Sequence, residues 1–216
     1  MKNKSEIVNR IFLLYRTSGW KRWFSRIRIW EAPCWEVEKL VPRRGIIVDL
    51  GCGEGIFTNL WALSSKSRNI VGIDQDKERI RQADKGIKNV TFRRGNILTA
   101  PLLNSNAIIL FHVLHHLISR KDQESLIRKS HQTLKKGGKL IIVEVDIKFT
   151  IKYLISWLTD HFVAPVLFEG KFYEPCINYR RKVDWLNLIR EIGFTARAFA
   201  VEKNKPYTNL VIECVK

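Results

Sequence analysis

The segment Val48-Asp49-Leu50-Gly51-Cys52-Gly53-Glu54-Gly55 decides how the rest of the chain is interpreted. The apolar run Ile46–Leu50 leads into the glycines, and the helical pattern Phe57–Ser65 follows them. A strand, a glycine-rich turn and a helix, in that order, form a setting in which nucleotide-like ligands bind. Glycines in such a turn adopt positive φ and let a ligand approach the backbone closely.

Two acidic residues narrow the class of ligand. Asp74 ends the second predicted strand, 23 positions after Gly51, where an acid takes two ribose hydroxyls. The third glycine of a dinucleotide fingerprint is missing, because Ile56 stands at its position. Asp49 faces the same crevice, which disfavours a pyrophosphate and suits a cationic or amino-bearing ligand.

Strand and helix patterns alternate from residue 45 onward. This alternation predicts an α/β fold with a doubly wound, mostly parallel, Rossmann-like sheet. Lys135–Gly138 is interpreted as the basic last turn and glycine stop of a helix. The predicted strands are 46–50, 70–73, 90–92, 107–111, 140–145, 195–201 and 209–215, and the predicted helices are 57–65, 76–88, 123–134 and 183–192.

Five motifs in order resemble the class I S-adenosylmethionine-dependent methyltransferases over residues 45–146. They are VDLGCGEG at 48–55, VGID at 71–74, GNI at 95–97, FHVLHHL at 111–117 and LKKGGKLII at 134–142. The resemblance implies a seven-stranded sheet with an antiparallel last strand. It also implies S-adenosylmethionine as cofactor and S-adenosylhomocysteine as product.

The resemblance also assigns cofactor contacts by position. The loop is framed by glycines, the ribose is bound after the second strand, the adenine after the third, and the methionine end lies after the fourth. In that order the residues are Asp49, Gly51, Cys52, Gly53 and Gly55; Asp74 and Gln75; Asn96 and Ile97; Phe111 and His112. The sequence predicts no metal site, since its four cysteines are far apart and lack a C-x-x-C pair.

Methyl transfer is an in-line displacement, so alignment of the reactants supplies most of the rate. An oxygen nucleophile also benefits from a base. His115 or His116 is the predicted base, with Asp146 orienting the base or the substrate. The alternative is that the two histidines only cap and pack the turn.

The substrate class follows from which family patterns are present. The chain lacks the D/N-P-P-F/Y motif of base-amine methylation and the K-D-K-E pattern of ribose methylation. Its FHVLHHL motif is similar to that of small-molecule and lipid-quinone enzymes. EVDIKFTIKYL at 144–154 and the basic start resemble methyltransferases of fatty-acid-like and aryl-polyene pathways. The implied acceptor is a phenol, hydroxyl or carboxyl, on a free molecule or on an acidic acyl carrier protein.

A substrate lid is predicted over about residues 147–182. Its aromatic wall is assigned to Tyr153, Trp157, Tyr173 and Tyr179, and Arg180 is assigned to an anionic headgroup. The alternative is that these aromatic residues belong to the core and that the arginine is only solvated.

Residues 1–44 are interpreted as a basic amphipathic extension of the domain at 45–216. Residues 1–30 carry eight basic residues and one acidic residue, and the whole chain has a formal charge of +17. Trp20, Trp23, Phe24, Ile27 and Trp30 recur at helical spacing. This pattern is typical of an interfacial membrane anchor, and the alternative is a stripe that packs on the core.

Three functions compete for this charge. The first is methylation of a lipid-like or carrier-bound acceptor at an anionic membrane surface. The second is RNA methylation, and the third is a basic binding module without catalysis. The sequence favours the first and leaves the oligomeric state open. No signal peptide or spanning segment is predicted, so we expect a cytoplasmic protein, peripheral on the inner face of the membrane.

Overall fold

The computed structural model describes residues 3–16, 21–147, 151–163, 172, 177–203, 205–206 and 208–216. The side chains of residues 21–24, 152, 155, 156, 160 and 163 lie outside the description. Of the predicted substrate residues, Tyr173 falls outside the described residues, as does Trp20 of the N-terminal stripe.

One seven-stranded sheet organises the chain, in the order β3-β2-β1-β4-β5-β7-β6. β7 runs antiparallel to both its neighbours and the other pairs are parallel, which confirms the predicted fold class. The strands are β1 (Gly45–Leu50), β2 (Arg68–Asp74), β3 (Val90–Arg94), β4 (Ser105–Phe111), β5 (Leu134–Val145), β6 (Thr195–Val201) and β7 (Asn209–Val215).

Helices cover both faces of this sheet. They are α1 (Lys4–Leu14), α2 (Lys21–Glu31), α3 (Cys34–Leu40), α4 (Ile56–Ser64), α5 (Lys77–Ala83), α6 (Arg120–Thr133), α7 (Ile151–Leu158) and α8 (Lys182–Glu191). A 3-10 turn spans Leu114–His116, and a π-helical turn spans Thr159–Val163. Within the described ranges, no helix combines the length and the hydrophobicity needed to cross a bilayer.

Two element boundaries differ from the prediction, one because of a local turn and the other because of a contact that is distant in sequence. α5 ends at Ala83 because the Asp84 side chain accepts a hydrogen bond from the Gly86 N–H, where φ is 68°. Lys135–Gly138 was wrongly interpreted as a helix end, since β5 begins at Leu134. There the Gly137 N–H donates to the carbonyl of Lys216, the residue after β7. This hydrogen bond pairs the segment with the neighbouring strand and makes it part of the sheet.

The buried residues form two clusters, one on each face of the sheet. Alternate residues of a strand point to opposite faces, so Ile47 joins one cluster and Val48 the other. α1 contributes Ile7, Ile11 and Tyr15 to the Ile47 cluster. The N-terminal extension is therefore part of the same core as the sheet.

The apolar residues of α2 divide between core and solvent. Ser25 and Ile29 are buried, whereas 49% of Ile27 and 56% of Trp30 are exposed. Core packing thus involves α1 and the face of α2 that carries Ser25 and Ile29, which lies outside the predicted stripe. The face that carries Ile27 and Trp30 is turned away from the core.

The Arg68 guanidinium, at the start of β2, fastens the N-terminal extension to the sheet. Its side chain is fully buried. It donates to the carbonyls of Pro42, Val41 and Trp61 at 2.8–2.9 Å and pairs with the buried Glu38 carboxylate at 3.2 Å. A buried arginine with this many acceptors orders the connection between α3 and β1.

We expect Arg68→Met to destabilise the fold by about 3–5 kcal/mol, because it leaves a buried carboxylate and several carbonyls without their donor. Urea unfolding followed by circular dichroism measures this loss. Arg81→Met is the matched control, since Arg81 pairs with Glu78 on the surface. Equal stability of the Arg68→Met variant and the parent would contradict the assignment.

Candidate active site

The site lies at the carboxyl ends of the parallel strands. β1 lies between β2 and β4, so the strand order reverses between β1 and β4. Open α/β sheets bind ligands in the crevice at such a switch point. The predicted cofactor residues follow β1, β2, β3 and β4, and the sheet therefore gathers them at this edge.

The glycine loop after β1 has positive φ at Gly51, Gly53 and Gly55, with values of 74°, 53° and 71°. A Cβ on Gly51 would lie 2.5 Å from a Val113 methyl, and one on Gly55 would lie 2.8 Å from Phe92. These two glycines are required by packing. A Cβ on Gly53 would meet nothing within 4 Å, so the loop is open at this position.

Asp74 holds this loop against the end of β2. Its Oδ2 accepts a hydrogen bond from the Gly53 N–H at 2.8 Å, and its Oδ1 accepts one from the Asp76 N–H at 3.0 Å. The Ile73 carbonyl accepts from the N–H groups of Gly51 and Cys52 at 2.7 and 3.1 Å. The structure thus places Asp74 beside the loop, as predicted, with the exposed Gln75 next to it.

Asp49 lies at the base of the crevice. It is 3% exposed, and its carboxylate accepts a hydrogen bond from the Thr58 hydroxyl. Burial, reinforced by the charge of Asp74, raises the pKa of Asp49 to about 7 although the Thr58 hydrogen bond lowers it. A cationic group placed beside this carboxyl would favour its ionised form.

The turn after β3 carries the predicted adenine contacts. The Asn96 side-chain oxygen accepts from the Leu98 N–H at 2.9 Å, which fixes the turn. Lys129, on α6, donates to the carbonyls of Ile97, Leu98 and Ala100 at 2.6–3.2 Å. Sequence reasoning missed Lys129, because nothing local indicates that a helical lysine reaches this turn.

Two residues at the end of β4 differ in kind: Phe111 has a buried ring, and His112 has a strained backbone. Phe111 is 6% exposed and packs against Phe57, with ring centroids 4.5 Å apart, so its ring belongs to the core beneath the crevice. His112 has φ 55°, the one positive φ outside glycine among the described residues. Such strain concentrates at functional sites.

The tautomer of His112 follows from its neighbour. Asn209 Nδ2 donates to the Glu31 carbonyl, so Asn209 Oδ1 is the atom that faces His112 Nε2, at 2.9 Å. The Nε2 atom therefore carries the proton. This contact joins the cofactor edge to the end of α2.

The predicted bases differ in their surroundings. His115 is 1% exposed, and its Nδ1 bonds the Glu144 carboxylate, whose other oxygen accepts the Leu114 N–H at 2.8 Å. Glu144 is thus the carboxylate that orients His115, whereas the sequence analysis had proposed Asp146 for this role. Asp146 is buried, and its N–H donates to the Thr208 carbonyl.

His116 presents its ring to solvent, 4.1 Å from the His115 ring centroid. Burial within the surrounding protein, together with the charges of His115, His112, Arg79 and Arg28, holds the pKa of His116 well below its usual range. Its neutral form therefore predominates at neutral pH.

An aromatic row continues from His115 toward α7. Tyr179 stacks on His115 at 5.4 Å between centroids, and Tyr153 meets Tyr179 edge-on at 6.1 Å. Trp157, two turns from the start of α7, stacks on His161 at 4.5 Å. The structure thus brings two of the predicted wall residues to the histidines and gives Trp157 a partner of its own.

Arg180 makes structural contacts within the chain, and its assignment to an anionic headgroup stays a prediction. Its Nε donates to the Gln123 side-chain oxygen at 2.6 Å, and its guanidinium also donates to the Arg120 carbonyl and covers the Trp185 ring. Gln123 in turn donates to the Asn178 carbonyl. These contacts hold Tyr179 in place, and the three hydrogen bonds were invisible in the sequence because their partners are 55, 57 and 60 residues apart.

The N-terminal helix α1 also reaches the glycine loop. The Tyr15 hydroxyl donates to the Glu54 carbonyl at 2.7 Å and accepts from Asn59 Nδ2 at 2.7 Å. Burial raises the pKa of Tyr15, so the hydroxyl stays protonated and keeps donating. Sequence reasoning missed these contacts, because the partners of Tyr15 lie 39 and 44 residues away.

The residues present fit S-adenosylmethionine. Asp74 offers a carboxylate for a ribose diol, Asp49 a carboxyl for an ammonium group, and Asn96–Ile97 an exposed turn for a base. The open space at Gly53 allows the close backbone approach that such a ligand needs.

Known proteins share the segment that builds this crevice. Residues 48–142 match the family described as "Methyltransferase domain". The chain is 28% identical over 171 residues to the protein 235L of Invertebrate iridescent virus 6, named for a methyltransferase, covering 75% of this chain and 59% of the relative. It is 31% identical over 100 residues to "Caffeate O-methyltransferase-like protein 2" of Oryza sativa subsp. japonica, covering 46% and 27%. The chain therefore spans less than two thirds of either relative.

Solved structures share the fold. Human N-acetylserotonin methyltransferase in complex with SAM has a TM-score of 0.64 at 15% identity, over 99% of this chain and 56% of that chain. Magnesium protoporphyrin IX methyltransferase from Synechocystis PCC 6803, with bound SAH, has a TM-score of 0.67 at 14% identity, over 98% and 94%. Fold, matched segment and loop geometry agree: residues 48–142 match a methyltransferase domain, and the sheet that contains them has the fold of solved S-adenosylmethionine-dependent methyltransferases.

Proposed function

We propose that the chain transfers the methyl group of S-adenosylmethionine to an oxygen of a small aromatic or lipid-like acceptor. The acceptor is free or bound to an acidic acyl carrier protein, and it is taken up at the inner, cytoplasmic face of a membrane. One observation carries the proposal: His112, at the carboxyl end of β4, lies 6.0 Å from His115, on which Tyr179 stacks, and Tyr153 meets Tyr179.

The cofactor, when bound, supplies a methyl group made electrophilic by the adjacent sulfonium charge. The residues of this chain position it. Asp74 receives the ribose hydroxyls, Asp49 pairs with the ammonium group, and the loop backbone at Gly53 allows close approach. Because the displacement is in line, this alignment supplies most of the rate enhancement.

The acceptor class follows from the aromatic row. Tyr179 and Tyr153 offer flat apolar surfaces, which suit a ring or an acyl chain. The printed names of one sequence relative and one structural neighbour support this choice: "Caffeate O-methyltransferase-like protein 2" and N-acetylserotonin methyltransferase. Lipid-like acceptors fit the same apolar surfaces.

The proton of the acceptor is assigned to His116. Its side chain is exposed in the cleft and is neutral at neutral pH, so it can accept a proton. His115 is locked by Glu144 and lies 4.1 Å from the His116 ring, which makes it a positioning residue. Asp146, near the same strand end, is proposed to orient the substrate.

RNA methylation is the second candidate. It is favoured by the formal charge of +17, by the exposed Arg10, Arg16 and Arg26, and by the exposed Trp30. Basic side chains interleaved with aromatic rings suit a single strand. A partition experiment separates the two candidates.

We expect methyl transfer from radiolabelled S-adenosylmethionine into a cell extract to place label in the organic phase after solvent partition.

His116→Asn should lower that transfer by about a hundredfold, because the base is lost, while binding of S-adenosylhomocysteine is retained. Label in the aqueous phase that RNase removes would make RNA the substrate. Full turnover in both His115→Asn and His116→Asn would contradict a histidine base.

Gly53→Ala should weaken binding of S-adenosylhomocysteine by about tenfold in calorimetry, because the new Cβ occupies space kept for the ligand. Gly86→Ala is a matched control: Gly86 has φ 68° and equally open surroundings, but it lies in the turn after α5. Equal affinity of the two variants would show that the open space at Gly53 is not the cofactor site.

The affinity for S-adenosylhomocysteine should fall about tenfold per pH unit below pH 7. In the free protein, the raised pKa of about 7 keeps Asp49 protonated in that range, so pairing with the ammonium group requires the loss of one proton. Asp49→Asn should bind more weakly at pH 8 and should lack this dependence. Persistence of the slope in Asp49→Asn, with Asp84→Asn as control, would assign it to another group.

A further inference from the structure

Helix α7 and the π-helical turn after it present an apolar stripe to solvent. Its members follow one another at intervals of three, four and four residues, so they share one face of the helix. They are Ile151, Leu154, Leu158 and Phe162, with exposures of 79%, 53%, 44% and 41%. A contiguous exposed stripe of this kind marks an interaction surface.

A second exposed stripe lies on α2. Ile27 and Trp30 are three residues apart and about half exposed, although the opposite face of the helix is buried through Ser25 and Ile29. Core packing accounts for the buried face only. The face with Ile27 and Trp30 is therefore interpreted as an interaction surface for a partner outside the chain.

Each helix is connected to a histidine of the crevice through one intervening residue. The Glu31 carbonyl, at the end of α2, accepts from Asn209, which bonds His112. Tyr153 of α7 meets Tyr179, which stacks on His115. The two stripes thus belong to helices that are both connected to one histidine cluster, whose His112 and His115 ring centroids are 6.0 Å apart.

The charge around these helices selects the occupant. Residues 1–30 carry eight basic residues and one acidic residue, and Arg10, Arg16 and Arg26 are exposed. A second copy of a chain with charge +17 would be repelled. Three of the four side chains in the α7 stripe are aliphatic and do not stack on bases, so the stripe fits RNA less well than it fits lipid. An anionic bilayer satisfies both the cationic and the apolar surfaces.

We propose that the exposed faces of α2 and α7 together form a docking face that inserts into the headgroup region of an anionic membrane. The crevice then opens where an apolar acceptor partitions into the lipid, and the inference rests on the proposed function in this respect. Trp30 is well suited to that depth, because tryptophan favours the membrane interface.

The test is sedimentation of the full chain with vesicles of phosphatidylcholine, with and without phosphatidylglycerol. We expect binding only to the anionic vesicles. Leu154→Ser with Leu158→Ser, and separately Ile27→Ser with Trp30→Ser, should each weaken it by about tenfold or more. Leu103→Ser is the matched control, since Leu103 is 39% exposed but precedes the amino end of β4, at the opposite edge of the sheet.

The charge is tested in the same way. Arg10→Gln with Arg16→Gln should weaken anionic-vesicle binding by about tenfold or more, and added salt should weaken that of the parent. Lys135→Gln with Lys136→Gln is the control, because these exposed lysines lie at the start of β5, away from the crevice. Equal losses in both pairs would reduce the effect to net charge and overturn the docking face.

Two further outcomes overturn the proposal: no sedimentation with anionic vesicles at moderate salt, or stripe variants that bind like the parent. Retention of single-stranded RNA that is lost in Ile27→Ser with Trp30→Ser, without vesicle binding, would assign the face to RNA. Calorimetry with S-adenosylhomocysteine on the same preparations separates the claims. Vesicle binding without cofactor binding would refute the proposed function and leave the docking face standing, and the reverse would refute the docking face alone.

Discussion

The hydrogen bond from the Gly53 N–H to the Asp74 carboxylate is the contact on which the site depends. It joins the loop after β1 to the end of β2 at 2.8 Å, so the same side chain shapes the loop and faces the ligand. The loop can adopt this path because Gly51 and Gly55 have positive φ and no Cβ to collide with Val113 and Phe92. Everything else at the crevice is arranged around this junction.

The N-terminal extension is coupled to the site rather than appended to it. Tyr15 holds the Glu54 carbonyl from below, and Asn209 links the end of α2 to His112. A movement of α1 would therefore shift the glycine loop, and a movement of α2 would shift the strained His112. If α2 contacts a membrane, the hydrogen bonds of Asn209 connect the membrane-bound helix to His112 at the cofactor edge.

The fold was predictable because its signals are local. Alternating apolar runs indicated all seven strands, and Asp74 was found from its position after an apolar run. Lys135–Gly138 was misread because the contact that decides it, with Lys216, is distant in sequence. The same limit hid Glu144 as the partner of His115, and it hid Lys129 and the structural role of Arg180. A side chain that bonds a remote backbone carbonyl leaves no periodic trace in the sequence.

The central claim is that the crevice after β1, β2 and β3 binds S-adenosylmethionine. The most direct measurement is the change in backbone amide NMR shifts when S-adenosylhomocysteine is added to the unmodified chain. The account predicts shifts concentrated at 51–55, 74–76 and 95–98, with Lys135–Gly138 at the opposite edge of the sheet unchanged. Shifts confined to other segments, or none at saturating ligand, would contradict it.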